Sequence, residues 1–307
     1  MTATFDILGL GCVAVDDLLY VPSFPSADTK LQILRRERQC GGLTATAMVA
    51  AARLGSRCAY AGTLGEDELS QFVVDAFRHE GVDATHIRRR SGARPIHSIV
   101  IVDLSRQTRT ILYDLEGVLG AQEDWPHADV IRAARILFVD HFGTEGMIRA
   151  TKIAREASIP VVADFESDVM PRFGDLLALV DHLLISCEFG ERLTGEKEPA
   201  RIAAQLWTSE RQAVVVTCGA AGCWFVDADR PDRPQHRPAF AVAVVDTTGC
   251  GDVFHGAYAS GLARGLGLEE RVRFASASAA LKATRPGGQA GCPTLADVEA
   301  FLKAQDK

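Results

Sequence analysis

The sequence lacks the cysteine patterns that mark metal-binding, redox or disulfide-stapled proteins. Its eight cysteines are scattered and include no C-x-x-C pair, so neither a zinc ribbon nor a thioredoxin-like motif is indicated. Cys12, Cys58, Cys218 and Cys223 lie in apolar, strand-like runs, which is typical of reduced, buried thiols. We therefore expect a cytoplasmic protein without disulfides.

Blocks of like charge and long apolar segments are also missing. Lys and Arg number 33 against 40 Asp and Glu, for a net charge of −7, and without a basic block neither nucleic acid nor an acidic membrane surface is an expected partner. No apolar run approaches the ~18 residues of a membrane span. The N-terminus enters a strand at Phe5 without the n-region and h-region of a signal peptide.

Two common enzyme motifs, the G-x-x-x-x-G-K-[ST] P-loop and H-E-x-x-H, are absent. Residues Gly9 to Ala14 do match the G-x-G-x-x-A dinucleotide fingerprint, but that fingerprint needs a helix directly after it. Pro22 and Pro25 follow instead and predict extended chain and turns. We therefore do not expect a nicotinamide cofactor.

The chain does contain a regular alternation of strand-like and helical patterns. Strands are predicted at 5–8, 57–63, 136–140 and 160–164, and helices at 66–80, 145–157 and 269–282. This alternation predicts an α/β fold with a mainly parallel sheet flanked by helices. We expect one domain spanning residues 1–307.

The alternation is interrupted by two β-rich runs, 94–103 and 106–114, with no helix between them. They predict an antiparallel hairpin, and with part of the earlier chain a small β-sheet lid formed by about 17–39 and 94–115. Within Ile96 to Asp103, apolar residues occur on both alternating faces. A strand of this kind needs cover on both sides, so we predict a homodimer through the lid.

The stretch from Asp246 to Asp252 carries the chemistry. A β-branched run at 240–245 is predicted as a strand, and Gly249-Cys250-Gly251 is predicted to open a helix. Free backbone N–H groups and the helix dipole at such a point form a site for an anion, above all phosphate. Asp252 lies at the same point and is either a reactive carboxylate or only a helix N-cap.

The string D-T-T-G-C-G-D-V-F-H-G resembles the C-terminal signature of the ribokinase-like (PfkB) carbohydrate kinases, with Cys250 where Ala is usual. The resemblance implies an ATP-dependent kinase that phosphorylates a sugar hydroxyl. In that reading Asp252 is the base, the turn of Gly249, Cys250 and Gly251 is the anion hole, and Mg²⁺ accompanies ATP. A run extending to Gly288 is similar to the sulfofructose kinase branch.

The same resemblance implies sugar contacts from Asp16, Lys30, Gly41, Gly42 and Thr46. The sequence departs from the ribose pattern, because Ala14 and Thr46 stand where ribokinases carry Asn. It also departs from the sulfofructose pattern, because Phe142 stands where that branch has an arginine. We predict an anionic or strongly polar sugar contacted by Asp16 and Lys30.

For the nucleotide, the resemblance implies contacts from Thr217, Gly219, Gly222, Thr248 and Gly287. Asp246 and Thr248, with the loop 284–291, would form a site for a monovalent cation such as K⁺. The Asn-x-x-Glu motif that organises magnesium is missing, because its positions hold Ser186 and Phe189; Glu188 or Glu191 would have to substitute.

Two alternatives remain open. A nucleoside kinase of the same fold would be favoured by an aromatic stacking face from Tyr113 or Phe142. A catalytically weak sugar- or nucleotide-binding relative would explain the missing Asn-x-x-Glu motif.

Overall fold

The computed structural model describes residues 3–306, which contain fourteen strands and ten helices. The strands are β1 (Phe5–Leu10), β2 (Ala14–Val21), β3 (Arg35–Gly41), β4 (Cys58–Tyr60), β5 (Thr63–Leu64), β6 (Arg88–Arg89), β7 (Ile96–Asp103), β8 (Thr108–Asp114), β9 (Ala134–Val139), β10 (Val161–Phe165), β11 (His182–Ser186), β12 (Ala213–Thr217), β13 (Cys223–Asp227) and β14 (Gln235–Arg237). The helices are α1 (Leu43–Arg53), α2 (Glu68–His79), α3 (Ala128–Arg132), α4 (Thr144–Glu156), α5 (Phe173–Leu179), α6 (Cys187–Thr194), α7 (Pro199–Leu206), α8 (Cys250–Ala263), α9 (Leu268–Ala283) and α10 (Leu295–Gln305).

The large sheet has the strand order β14-β13-β12-β11-β10-β9-β1-β4. From β12 to β4 all pairings are parallel, and β13 and β14 add an antiparallel edge. Strand β10 is buried along its whole length, as expected where helices cover both faces of a parallel sheet. One face packs on α1, α2, α8 and α9 and the other on α3 to α7. The predicted α/β fold is confirmed.

This topology brings the carboxyl ends of β1, β9, β10, β11 and β12 to one edge of the large sheet. Ligands of open α/β sheets bind at that edge. The start of α8 lies there too, because His255 in its second turn contacts Asp164 at the end of β10.

A second, four-stranded sheet has the order β3-β2-β7-β8. We call it the small sheet; its strands overlap the ranges expected for the lid. β7 and β8 pair antiparallel, as predicted for a hairpin, and every residue of the edge strand β8 is exposed. The first strand of this sheet, β2, begins at Ala14. The stretch Gly9–Ala14, which matches the dinucleotide fingerprint, is therefore followed by a strand and not by the helix that the fingerprint needs.

One predicted strand is wrong. Residues 240–245 form no strand, and Val244 and Val245 are 64% and 63% exposed. The backbone N–H groups of Val245 and Asp246 both donate to the carbonyl of Ala283, so the segment runs along the end of α9 instead of entering a sheet. Its β-branched residues were the misleading signal, since strand preference depends on what the side chains pack against.

Across residues 3–306, every helix is too short or too polar to cross a membrane. The eight cysteines are all free thiols.

Candidate active site

The turn before α8 presents backbone donors at a helix start. Gly249 has φ 74°, a left-handed conformation in which glycine avoids strain. The Cys250 N–H donates to the carbonyl of Thr247 at 3.2 Å. The anion-hole role expected of Cys250 stays a prediction. The amides of Gly249 and Gly251 have no acceptor among residues 3–306, and a Cβ on Gly251 would meet no atom within 4 Å. These two amides are the donors available to an anion.

Asp246 joins this turn to the loop that follows α9. Its Oδ1 accepts from the Thr248 N–H and its Oδ2 from the Gly287 N–H, both at 2.8 Å. Burial acts to raise the pKa of Asp246, but these hydrogen bonds and the charge of Lys282 outweigh it, and the pKa lies below its ordinary value. Asp246 is thus a charged crosslink between two backbone segments.

Asp252 lies in the first turn of α8 beside other carboxyl groups. Burial, and then the charges of Asp164, Glu166, Asp140 and Asp16, raise the pKa of Asp252 well above its ordinary value. These effects act against the helix dipole, which favours the ionised form of Asp252 by about 0.3–1 kcal/mol.

Two of those acids follow buried strands. Asp140, at the end of β9, accepts from the Cys12 N–H at 2.6 Å, the Thr44 hydroxyl at 2.9 Å and the Phe142 N–H at 2.8 Å. It ties β1, α1 and β9 together. Asp164, at the end of β10, is 1% exposed and its Oδ2 lies 2.6 Å from Nδ1 of His255. Neither oxygen of Asp164 makes a hydrogen bond of acceptable geometry in the described part of the chain, so the contact with His255 is a close approach only.

The small sheet brings Asp16 towards this edge. A Cβ on Gly41 would come within 2.6 Å of Oδ2 of Asp16, so the glycine lets the carboxylate lie against the start of α1. Burial raises the pKa of Asp16. The next glycine, Gly42, has φ 95° and precedes α1. Thr46, within α1, is buried and accepts from Gln289 at 3.4 Å, under the turn at Gly249.

One face of the small sheet carries Asp16 and a series of residues opposite it. Asp16 pairs with Ser98, and Ser98 with Tyr113, and directly opposed residues project to the same face. Tyr20 lies four residues further along β2 on the same face. It pairs with Val102 of β7, which in turn pairs with Arg109 of β8. Arg109 donates to the Thr248 hydroxyl and lies 3.7 Å from Oδ1 of Asp246. The small sheet therefore reaches the anion-binding turn through one arginine.

Comparisons with known proteins agree with this geometry. The model of the pfkB family carbohydrate kinases matches residues 8–295. The chain belongs to the pfkB family of carbohydrate kinases. Ribokinase from Haemophilus influenzae is 27% identical over 304 residues, 96% of this chain and 97% of its own length. A probable fructokinase of Arabidopsis thaliana is 27% identical over 290 residues, 86% of this chain and 87% of its own. An Arabidopsis thaliana ribokinase, solved with ribose and ATP, has a TM-score of 0.86 at 24% identity over 99% of both chains.

The activity implied by the resemblance, ATP-dependent phosphorylation of a sugar, is the activity of the pfkB family. Thr217, Gly219 and Gly222, expected at the nucleotide, form the turn at the end of β12, on the ligand-binding edge. Gly287 lies beside Gln39 of the small sheet. Lys30 is exposed in the loop between β2 and β3, and within residues 3–306 it makes no ion pair. Its sugar contact stays a prediction.

The missing Asn-x-x-Glu motif of this pfkB kinase has a structural consequence. Ser186 caps α6, accepting from the Phe189 N–H at 3.1 Å, and Phe189 is in the core. Glu188 and Glu191 are exposed on α6. Glu166, which directly follows β10, instead has its pKa raised to about 7, by burial and then by the charge of Asp164.

No group of three or more His, Cys, Asp and Glu side chains between residues 3 and 306 is arranged to hold a metal by itself. The carboxyl groups of Asp164, whose oxygens have no hydrogen-bond partner among the described residues, and of Glu166 are the oxygen donors that Mg²⁺ prefers, so this donor set fits the ion.

Sequence reasoning missed Asp140, Asp164 and Glu166 as site residues. The available signal was their position directly after apolar strands of an α/β pattern, where carboxyl ends meet. It also missed Lys282 and Arg109. A lysine in an apolar helix was visible in the sequence, whereas the contact of Arg109 depends on how the two sheets are placed.

Proposed function

We propose that this pfkB-family kinase transfers the terminal phosphoryl group of ATP to a hydroxyl of a polar or anionic sugar, with Asp252 as the general base. The observation that carries the proposal is Asp252 standing beside the free amides of Gly249 and Gly251. Backbone N–H groups fixed at a helix start stabilise negative charge as it develops, without reorganising.

The raised pKa of Asp252 suits this role, because a carboxylate with a higher pKa is a stronger base. The sugar hydroxyl would pass its proton to Asp252 as its oxygen bonds to phosphorus and the bond to the ADP oxygen breaks. Positive charge brought by the ligands would favour the ionised form of Asp252 that must accept this proton.

Asp164 and Glu166 are the residues we assign to magnesium, together with the ATP phosphates. When bound, Mg²⁺ would neutralise charge on those phosphates. The paired acids at the end of β10 would then replace the missing Asn-x-x-Glu motif on α6.

The substrate we favour is a sugar that meets Asp16 on the small sheet, with Lys30 contacting an anionic end. A carboxylate can accept hydrogen bonds from two hydroxyl groups at once. Ala14 and Thr46 replace the two asparagines of the ribose pattern, so ribose itself is not our first candidate. Similarity to the sulfofructose kinase branch stays a prediction, and Phe142 in place of its arginine argues against sulfofructose.

A nucleoside is the second candidate substrate. Tyr113 lies on the same face of the small sheet as Asp16, two strands away, and is exposed. An aromatic ring beside a hydroxyl-binding carboxylate would suit a base attached to a ribose.

The experiment that tests this function is ADP release in a panel of hexoses, pentoses, sugar phosphates, sulfosugars and nucleosides. We expect one class of polar or anionic sugars to give turnover well above the rate without acceptor. Turnover with nucleosides alone would favour the second candidate. No acceptor-dependent ADP release would favour a catalytically weak binding relative.

We also propose that the small sheet is a lid and that two copies pair through it. Ile111 and Leu112 on the edge strand β8 are 50% and 56% exposed, and Leu112 lies opposite the exposed Ile99. An exposed apolar edge strand is an aggregation risk unless it is covered. We expect sedimentation of a dimer at micromolar concentration and of a monomer after Leu112→Asp; a monomeric native protein would contradict the pairing.

The free cysteines are in keeping with a cytoplasmic enzyme.

A further inference from the structure

Lys282, in the last turn of α9, is a fully buried lysine beside the anion-binding turn. Its side chain is 0% exposed. Its Nζ donates to the carbonyl of Asp246 at 2.8 Å and to that of Arg285 at 3.3 Å. Burying an ammonium group is costly unless polar groups replace its water, and here backbone carbonyls replace it.

These two carbonyls belong to the segments that frame the turn. Asp246 begins the turn that ends at Asp252, and Arg285 begins the loop containing Gly287. The loop is shaped around the lysine, because a Cβ on Gly291 would come within 2.7 Å of Cδ and 3.0 Å of Cε of Lys282. Lys282 therefore joins the same two segments that the Asp246 carboxylate joins.

The monovalent-cation site implied by the family resemblance would use these same groups. Monovalent cations are bound in proteins by backbone carbonyls that replace the hydration shell. The Asp246 carbonyl is bonded to Lys282, its carboxylate oxygens accept from two amides, and the Thr248 hydroxyl is bonded to Arg109. The residues present do not fit an added monovalent cation.

We propose that the ammonium group of Lys282 permanently replaces the monovalent cation, so that the kinase turns over without K⁺. Lys282 is a positioning residue: it holds the Asp246 and Arg285 carbonyls, and through them the orientation of the amides at Gly249 and Gly251. The turnover measurement that tests this inference rests on the proposed kinase function, whereas the melting-temperature measurement does not.

The electrostatics of the turn support this role. Burial raises the pKa of the Cys250 thiol, and the charge of Lys282 is the largest effect opposing it. The positive charge thus acts on the first residue of α8, beside the amides proposed to receive the phosphoryl group. A mobile cation at the same place would act in the same direction.

The test uses four proteins: the native protein, Lys282→Ala, Lys282→Met and the control Lys303→Ala, which changes an exposed lysine of α10. Each is compared in the chlorides of K⁺, NH₄⁺ and tetramethylammonium at matched ionic strength. The first readout is the melting temperature without ATP. We expect K⁺ and NH₄⁺ to raise that of Lys282→Ala by at least about 2 °C relative to tetramethylammonium, and to leave the native protein and Lys303→Ala unchanged. Lys282→Met fills the space with an uncharged chain and should not respond.

Turnover is the second readout. The native enzyme should have the same kcat in K⁺ and in tetramethylammonium, within about twofold, whereas Lys282→Ala should lose about tenfold or more and regain part of it in K⁺ or NH₄⁺. A native enzyme activated tenfold by K⁺ would overturn the proposal, and this needs no variant to fold. A Lys282→Ala protein with no cation response in either readout would also overturn it. Absence of turnover in the native enzyme would contradict the kinase function, while the melting temperatures would still decide the cation question.

Discussion

The anion-binding turn and the small sheet differ in how their functional groups are held. At the turn, Asp246 and Lys282 join two backbone segments by hydrogen bonds, and most of the polar groups have partners. On the small sheet Tyr113 is exposed and β8 has no buried residue, and Lys30 is exposed in the loop between β2 and β3. The anion-binding turn is held by hydrogen bonds within the protein, whereas we expect the exposed groups of the small sheet and its loop to gain their contacts from a ligand or a partner.

This difference separates the chemistry from the choice of substrate. Phosphoryl transfer needs fixed amides and a fixed carboxylate, which a rigid turn supplies. In our proposal, sugar choice depends on a few side chains on or near the exposed small sheet. We therefore expect changes at the turn to lower kcat and changes on the small sheet to raise KM.

The largest effect is expected at Asp252. Asp252→Asn keeps the size but removes the base, so kcat should fall by about 10²–10⁴. The N-cap of α8 is Gly249 and not Asp252, so no cap is lost and the melting temperature should not fall. Steady-state kinetics with the best sugar measures this. Near-normal turnover would return Asp252 to a purely structural role.

A smaller effect is expected where the small sheet meets the sugar. Asp16→Ala should raise KM for the sugar by about tenfold or more, because it removes hydrogen bonds to a charged acceptor worth about 1.5–3 kcal/mol. Lys30→Ala should raise KM only for an anionic sugar. If Lys30→Ala leaves KM unchanged for the best anionic substrate, the lysine contact is wrong.

Arg109 is the contact between the two regions and can show whether they act together. Arg109→Met removes an ion pair with Asp246 from a side chain that is 44% exposed. A pair of this kind is worth at most about 1 kcal/mol, so kcat/KM should fall by only about fivefold. The matched control is Arg106→Met, in the turn just before β8. Equal losses in both variants would show that the contact has no specific role.

The smallest effect is on stability, through Glu166. Its pKa is raised to about 7 from 4.5. As the pH rises, the unfolded chain therefore releases this proton at a lower pH than the folded protein does. The resulting stabilisation is present below the unfolded pKa and is lost as the pH rises through about 7. Glu166→Gln should therefore gain in melting temperature over the native protein between pH 5 and 8, whereas the exposed control Glu188→Gln should not. Parallel pH curves for all three proteins would contradict the raised pKa.

The sequence was sufficient to predict the α/β fold, the hairpin in the small sheet and the start of α8, because each depends on local pattern and turn residues. It was not sufficient for the segment 240–245, where exposure overrode β-branched propensity. It could not show that burial and acids from distant parts of the chain raise the pKa of Asp252. Long-range electrostatics cannot be read from spacing along the sequence.

The central claim is that a phosphoryl group passes from ATP to a sugar oxygen at this turn. Phosphorus NMR of the native enzyme with ATP and the best acceptor from the panel tests it directly. We predict a new phosphate-ester resonance that grows in step with ADP and is lost in Asp252→Asn. Release of inorganic phosphate with no ester, or an ester formed equally well by Asp252→Asn, would contradict the account.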